Sequence, residues 1–118
     1  MRIGELATAS GVSVRSLRYY EQQGLLSSER TSGGQRRYHH DAVARVELIQ
    51  RLYSAALCSE KIAELLPCFE GEQSPELRSS LLVEKARVDG MIRELEQARG
   101  VLVSVIDSIP PGPAAPTG

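Results

Sequence analysis

Residues 3–26 read IGELATASGVSVRSLRYYEQQGLL, and this stretch decides the fold. Ile3, Leu6, Ala7 and Val12 fall at the spacing of a short helix's buried stripe, and a turn follows at Ser10-Gly11-Val12-Ser13. Gly11 suits that turn because a residue without a Cβ takes positive φ at little steric cost. Ser13 is placed to cap a second helix, Val14 to about Gln23, by accepting an amide of its first turn. That helix buries Val14, Leu17 and Tyr20 and exposes Arg15, Ser16, Arg18 and Tyr19. Two short helices joined by a tight glycine turn form a helix-turn-helix unit, whose second helix enters a DNA major groove.

Working outward, Gly24 ends the second helix and Leu25-Leu26 begins a short strand. Thr31-Ser32-Gly33-Gly34 is a turn signal, and Gln35-Arg36-Arg37-Tyr38 returns as the partner strand. The result is a small hairpin, a wing, whose extended arginines can reach phosphates. Asp41 is placed to cap a third helix from Ala42 to about Ala56, with Val43, Val46, Ile49, Leu52 and Tyr53 on its apolar side. Ser59 is placed to cap a fourth, Glu60 to Leu66, stopped near Pro67. Tyr20 and Tyr53 are assigned to the core.

The net charge of -1 gives no hint of a nucleic-acid partner, but charge is unevenly spread. Residues 1–53 carry +3, with eight arginines and no lysine, and residues 54–118 carry -4. A basic amino-terminal half is compatible with phosphate binding. No apolar run reaches the roughly 18 residues a membrane span needs and no signal-peptide core follows Met1, so no membrane partner is expected and the cytoplasm is the expected address. There is no Ser-His-Asp order, phosphate-cradling loop or metal-ligand set, which argues against an enzyme.

Residues 70–73 read as a polar hinge, and Ser74-Pro75 as the start of a long helix over 74–109. Leu81, Val88, Leu95, Leu102 and Ile109 recur every seven residues, with Leu77, Glu84, Met91, Ala98 and Val105 as the companion register. Gly90, Gly100, Glu84 and Ala98 are its weak points. A helix of about 35 residues extends about 50 Å, too far for the amino-terminal domain to cover. Folding back on its own core is the alternative; pairing with a second copy is favoured, through Leu77, Leu81, Val88, Met91, Leu95, Leu102, Val105 and Ile109. The proline-rich tail, 110–118, cannot continue a helix and is expected to be mobile.

The segments Ile3-Gly4-Glu5-Leu6-Ala7, Gly11-Val12-Ser13-Val14-Arg15, Leu17-Arg18-Tyr19-Tyr20-Glu21 and Gly24-Leu25-Leu26, continued by Arg30, Gly34, Arg36 and Tyr38, resemble the MerR family of bacterial regulators. The resemblance runs from Met1 to Ile109. It implies a mainly α fold: a winged helix-turn-helix DNA-binding head over 1–69 with a small β-hairpin wing, followed by a long carboxy-terminal coiled-coil helix. It also implies a homodimer on a pseudo-palindromic site in double-stranded DNA. Such a regulator distorts DNA between promoter elements, with RNA polymerase at the promoter as partner. Arg15, Ser16, Arg18 and Tyr19 match the family's recognition-helix positions, and Arg36, Arg37 and Tyr38 its wing. Arg15 is the choice for a base edge, while Arg18 and Tyr19 are assigned to phosphate. Packing in the core is the alternative for Tyr19 and Tyr38. A DNA-architectural or recombination-accessory protein built on the same head is the second functional reading.

Metal-sensing members of the family place cysteines at the start of the long helix and after it, positions that here hold Ser74 and a tail without Cys, His, Asp or Glu. No metal or cofactor is therefore expected, and no effector is identified. Cys58 and Cys68 flank the fourth helix, which would hold their backbones roughly 15 Å apart, so no disulfide is expected between them. Either thiol could sense oxidation, but both are read first as small buried hydrophobes. His39-His40-Asp41 resembles a metal cluster, yet adjacent loop histidines are expected to point apart.

Overall fold

A computed structural model describes residues 1–71 and 75–112. Helix α1, Ile3–Ser10, ends where Gly11 takes φ 73°, and the Gly11 amide donates back to the Ala7 carbonyl at 2.9 Å. An L side chain here costs roughly 1–2 kcal/mol, which is why the turn uses glycine. Helix α2, Val14–Gln22, begins as its sequence requires: the Ser13 hydroxyl accepts from the Ser16 amide at 3.1 Å. Such a cap stabilises a helix by about 1 kcal/mol. Leu6 of α1, Leu17 of α2 and Val12 of the turn between them are buried.

The wing is shorter and later than its sequence suggests. Leu25 and Leu26 form no strand; they are buried at 0% and 6% exposure and plug the core behind α2. Burying two leucines outweighs whatever two more ladder bonds would add, since each buried leucine is worth about 1.5–3 kcal/mol. Strand β1, Glu29–Arg30, pairs antiparallel with β2, Arg36–Arg37, in the register Glu29 opposite Arg37 and Arg30 opposite Arg36. Gly34, at φ 79°, closes the turn by donating to the Thr31 carbonyl. Beyond β2, Tyr38 and Met1 exchange backbone hydrogen bonds of 2.6 and 2.7 Å, which ties the end of the return strand to the first residue of the chain.

Helix α3, Ala42–Ser54, buries Ala42, Val46, Ile49 and Leu52. Asp41 stands at its amino end but makes no side-chain cap bond. Helix α4 runs Ser59–Leu65, one residue earlier than expected, so Cys58 takes the capping position and Ser59 is helical. The Ser59 hydroxyl bonds that of Tyr53 instead. Pro67 does not stop the chain's coiling outright: it sits in a single 3-10 turn, Leu66–Phe69, where its missing amide is not needed. Arg45 of α3 donates to the Leu25 carbonyl at 3.0 Å and pairs with Glu70, joining α3 to the segment after α2 and to the residue after the 3-10 turn.

Helix α5 runs Pro75–Ser108. The expected cap Ser74, the hinge residues Glu72 and Gln73, and tail residues 113–118 lie outside the described residues. The chain forms two compact units, Met1–Arg78 and a second beginning at Ser79, so the first turn of α5 belongs with the amino-terminal unit. Leu77, read as the first residue of the seam, is accordingly 5% exposed within that unit.

Candidate nucleic-acid interface

Helix α2 separates its residues by face. Leu17 and Tyr20 are buried, whereas Arg15, Arg18 and Tyr19 are exposed and Ser16 is half-buried, its hydroxyl bonded to that of Ser13. Tyr19 is 46% exposed, with its hydroxyl 3.5 Å from Ser59 of α4, so it is a surface residue with one tether rather than a core residue. Tyr20 stacks on Tyr53, ring centroids 5.8 Å apart, and burial, reinforced by the neighbouring Tyr53 phenol, raises its pKa above the usual tyrosine value.

The wing is held against α2 by one carboxylate. Glu21 accepts from Arg36 Nη1 at 3.3 Å and from the Tyr38 hydroxyl. Its side chain is only 15% exposed, which makes the contact stronger than a surface ion pair of the same length. Tyr38, expected among the wing's DNA contacts, is placed in the core at 2% exposure with its hydroxyl engaged by Glu21. Arg36 is exposed and Arg37 half-buried. The side chains that β2 turns outward are thus cationic, with the exposed carboxylate of Glu29 on β1 opposite Arg37, and Tyr38 faces inward as an anchor.

Other residues of the amino-terminal unit also differ from their sequence reading. The rings of His39 and His40 lie 4.1 Å apart, because the chain bends through His40 and Asp41. Each ring places a nitrogen 3.2 Å from an Asp41 carboxylate oxygen, which is where the missing α3 cap has gone. Cys58 and Cys68 are exposed free thiols, not buried hydrophobes. Cys58 occupies a helix-capping position and Cys68 a 3-10 turn, and the leucines around them already fill the core. A cleft of about 560 Å³ along α3 is lined by Leu26, His39, Arg45, Phe69 and Glu70 among others.

On α5, Met91, Leu95, Leu102 and Val105, with Ile109 just past its end, are between 41% and 67% exposed, and Leu81 and Val88 are half-buried. Ile92 and Ile106, exposed at 48% and 64%, extend the same stripe and were not read from the sequence. Each lies four residues after a seam residue, Val88 or Leu102. Arg99 between them breaks the seven-residue count that would have revealed them. Among the described residues no helix is long and apolar enough to cross a membrane.

The MerR helix-turn-helix regulatory protein family model matches residues 1–67, which is more than half of the chain. The nodulation protein NolA of Bradyrhizobium elkanii is 40% identical over 103 residues, spanning 86% of this chain but 42% of NolA. The chain therefore spans less than half the length of that relative. Among solved structures, the transcription regulator PbrR691 of Ralstonia metallidurans CH34, in complex with lead(II), superposes with a TM-score of 0.82 at 25% identity, covering 98% of this chain and 92% of that one. HiNmlR, a MerR family regulator lacking the sensor domain and bound to promoter DNA, superposes with a TM-score of 0.59 at 26% identity, covering 90% and 86%. With the helix-turn-helix, the wing and the long helix in family order, the chain belongs to the MerR family of helix-turn-helix transcription regulators.

Proposed function

We propose that the chain is a sequence-specific transcription regulator that binds a pseudo-palindromic promoter site as a homodimer and distorts the DNA between promoter elements. The observation that carries this reading is the joining of two DNA-reaching elements by Glu21: α2 presents Arg15, Arg18 and Tyr19 outward, while the same helix holds the arginine-bearing wing. A groove-reading helix and a backbone-reaching hairpin held together can set protein orientation and read sequence at once. The promoter-bound state of HiNmlR supports the same use of this fold.

Arg15 reads a base edge, because its guanidinium can hold guanine bidentately. Arg18, Tyr19, Arg36 and Arg37 hold phosphates, and Ser16 supports the start of the helix. Tyr38 serves by anchoring the wing. The exposed stripe of α5, centred on Met91, Leu95, Leu102, Val105 and Ile109, pairs with a second copy, since apolar area of that extent is costly to leave in water. RNA polymerase at the promoter is the functional partner, and the cytoplasm is the address this work requires. The domains divide as a DNA-binding head through residue 69, a hinge over 70–73 and a dimerisation helix to 109.

The experiment compares fluorescence anisotropy on a duplex carrying the dyad beside the protein's own gene with that on a scrambled duplex, alongside transcription by purified polymerase. Preferential binding of the dyad with a changed transcript yield is the expected result. Equal affinity for both duplexes, or binding without any effect on transcription, contradicts the reading. Arg15→Ala is expected to reduce discrimination by about 1–3 kcal/mol while leaving affinity for the scrambled duplex in place.

A further inference from the structure

A cleft of about 440 Å³ opens between the amino end of α1, helix α2 and strand β2, lined by Arg2, Ile3, Arg18, Gln35, Arg36 and Tyr38. Three of those residues are arginines, brought together from three separate segments of the chain. Like charges repel, so a cleft with three arginines and no acidic residue in its lining is preorganised for an anion. Arg36 is partly neutralised by Glu21 at 3.3 Å. Among the described residues, Arg2 and Arg18 make no ion pair. The hydroxyl of Tyr38 is already committed to Glu21, so the cleft's free polar groups are chiefly donors.

A phosphodiester suits this cleft: it carries one negative charge and two non-bridging oxygens that accept from guanidinium groups. The cleft adjoins both elements assigned to DNA, α2 and the wing, which selects the nucleic-acid backbone over a free anion. We infer that this cleft seats one backbone phosphate of the bound DNA, with Arg2 and Arg18 as its principal donors and Arg36 shared between the phosphate and Glu21. The inference rests on the DNA-binding reading above and adds Arg2, a residue outside the helix-turn-helix pattern, to the interface. A phosphate gripped between the recognition helix and the wing fixes the path of the backbone relative to both. Contacts of that kind position the protein without carrying sequence information.

The test uses the full chain and a salt series of anisotropy titrations on the promoter duplex and a scrambled duplex. Arg2→Ala is expected to weaken both duplexes several-fold and by the same factor, and to lower the slope of log affinity against log salt by about one. Arg2→Lys keeps the charge and is expected to restore the slope, a rescue that a purely structural role would not produce. Arg93→Ala removes a charge from α5 outside the head and is expected to change neither quantity. Inorganic phosphate at millimolar concentration, added at constant ionic strength, is expected not to compete. Wild-type affinity and slope in Arg2→Ala, or competition by inorganic phosphate, overturns the seat. A wild-type protein with no salt-dependent affinity for either duplex instead overturns the DNA-binding reading beneath it. Far-UV circular dichroism checks that each variant is folded.

Discussion

Glu21 is where the recognition helix and the wing become one object, because its carboxylate accepts from both Arg36 and Tyr38. Glu21→Ala leaves the hydroxyl of a 2% exposed tyrosine without its acceptor, at an expected cost of about 1–3 kcal/mol. Hydrogen exchange should then accelerate across Thr31–Arg37 while α1 and α2 keep their protection; unchanged exchange in the wing would count against the tether. Tyr20 gives a second prediction. Its folded pKa is raised above 10.0 by burial and then by Tyr53, so the unfolded chain ionises first as pH climbs. The stability tied to the neutral phenol is present below the unfolded value and is lost as pH rises through the folded one. Tyr20→Phe should flatten the alkaline fall in Tm, and an identical fall in both proteins would contradict the assignment. Of these residues, Ser13 was legible as a cap because the bond it makes spans three positions. Tyr38 was left open between a DNA contact and packing in the core, because its acceptor lies seventeen positions earlier, beyond any local pattern.

Among the elements, α5 was the most readable, since a seven-residue recurrence over a long helix leaves few alternatives. Its two ends were less so. Leu77 packs in the first unit because the head's core continues into the first turn of the helix, a tertiary fact that no heptad count contains. The wing was misplaced for a related reason: Leu25-Leu26 after a glycine looks like the start of a strand, but the core behind α2 claims both side chains. Gly100 offers a clean test of α5. A Cβ there meets nothing within 4 Å, and residue 100 falls on the side of the helix away from Leu95 and Leu102. Gly100→Ala should therefore stabilise α5 by about 1 kcal/mol, read as a higher midpoint in thermal unfolding followed by circular dichroism. A lower midpoint would mean that this side of the helix is occupied. Leu95→Glu should do the opposite to assembly by placing a charge in the centre of the stripe, giving monomers in sedimentation equilibrium.

At the scale of the molecule, charge and apolar surface are divided between the two units. The first carries the arginines that reach outward from α2, the wing and Arg2; the second carries an apolar stripe that one chain leaves in water. Neither unit suffices for the proposed work, because a single head covers half of a dyad and a coiled coil alone touches no DNA. Both halves of that division were visible in the sequence as a local charge excess and a heptad, although the net charge of -1 concealed the first. The measurement that tests this most directly is the stoichiometry of the complex by sedimentation on a duplex carrying the promoter dyad. Two chains per duplex, with Leu95→Glu reducing affinity and stoichiometry together, is the predicted result; one chain bound tightly to the full dyad would contradict it.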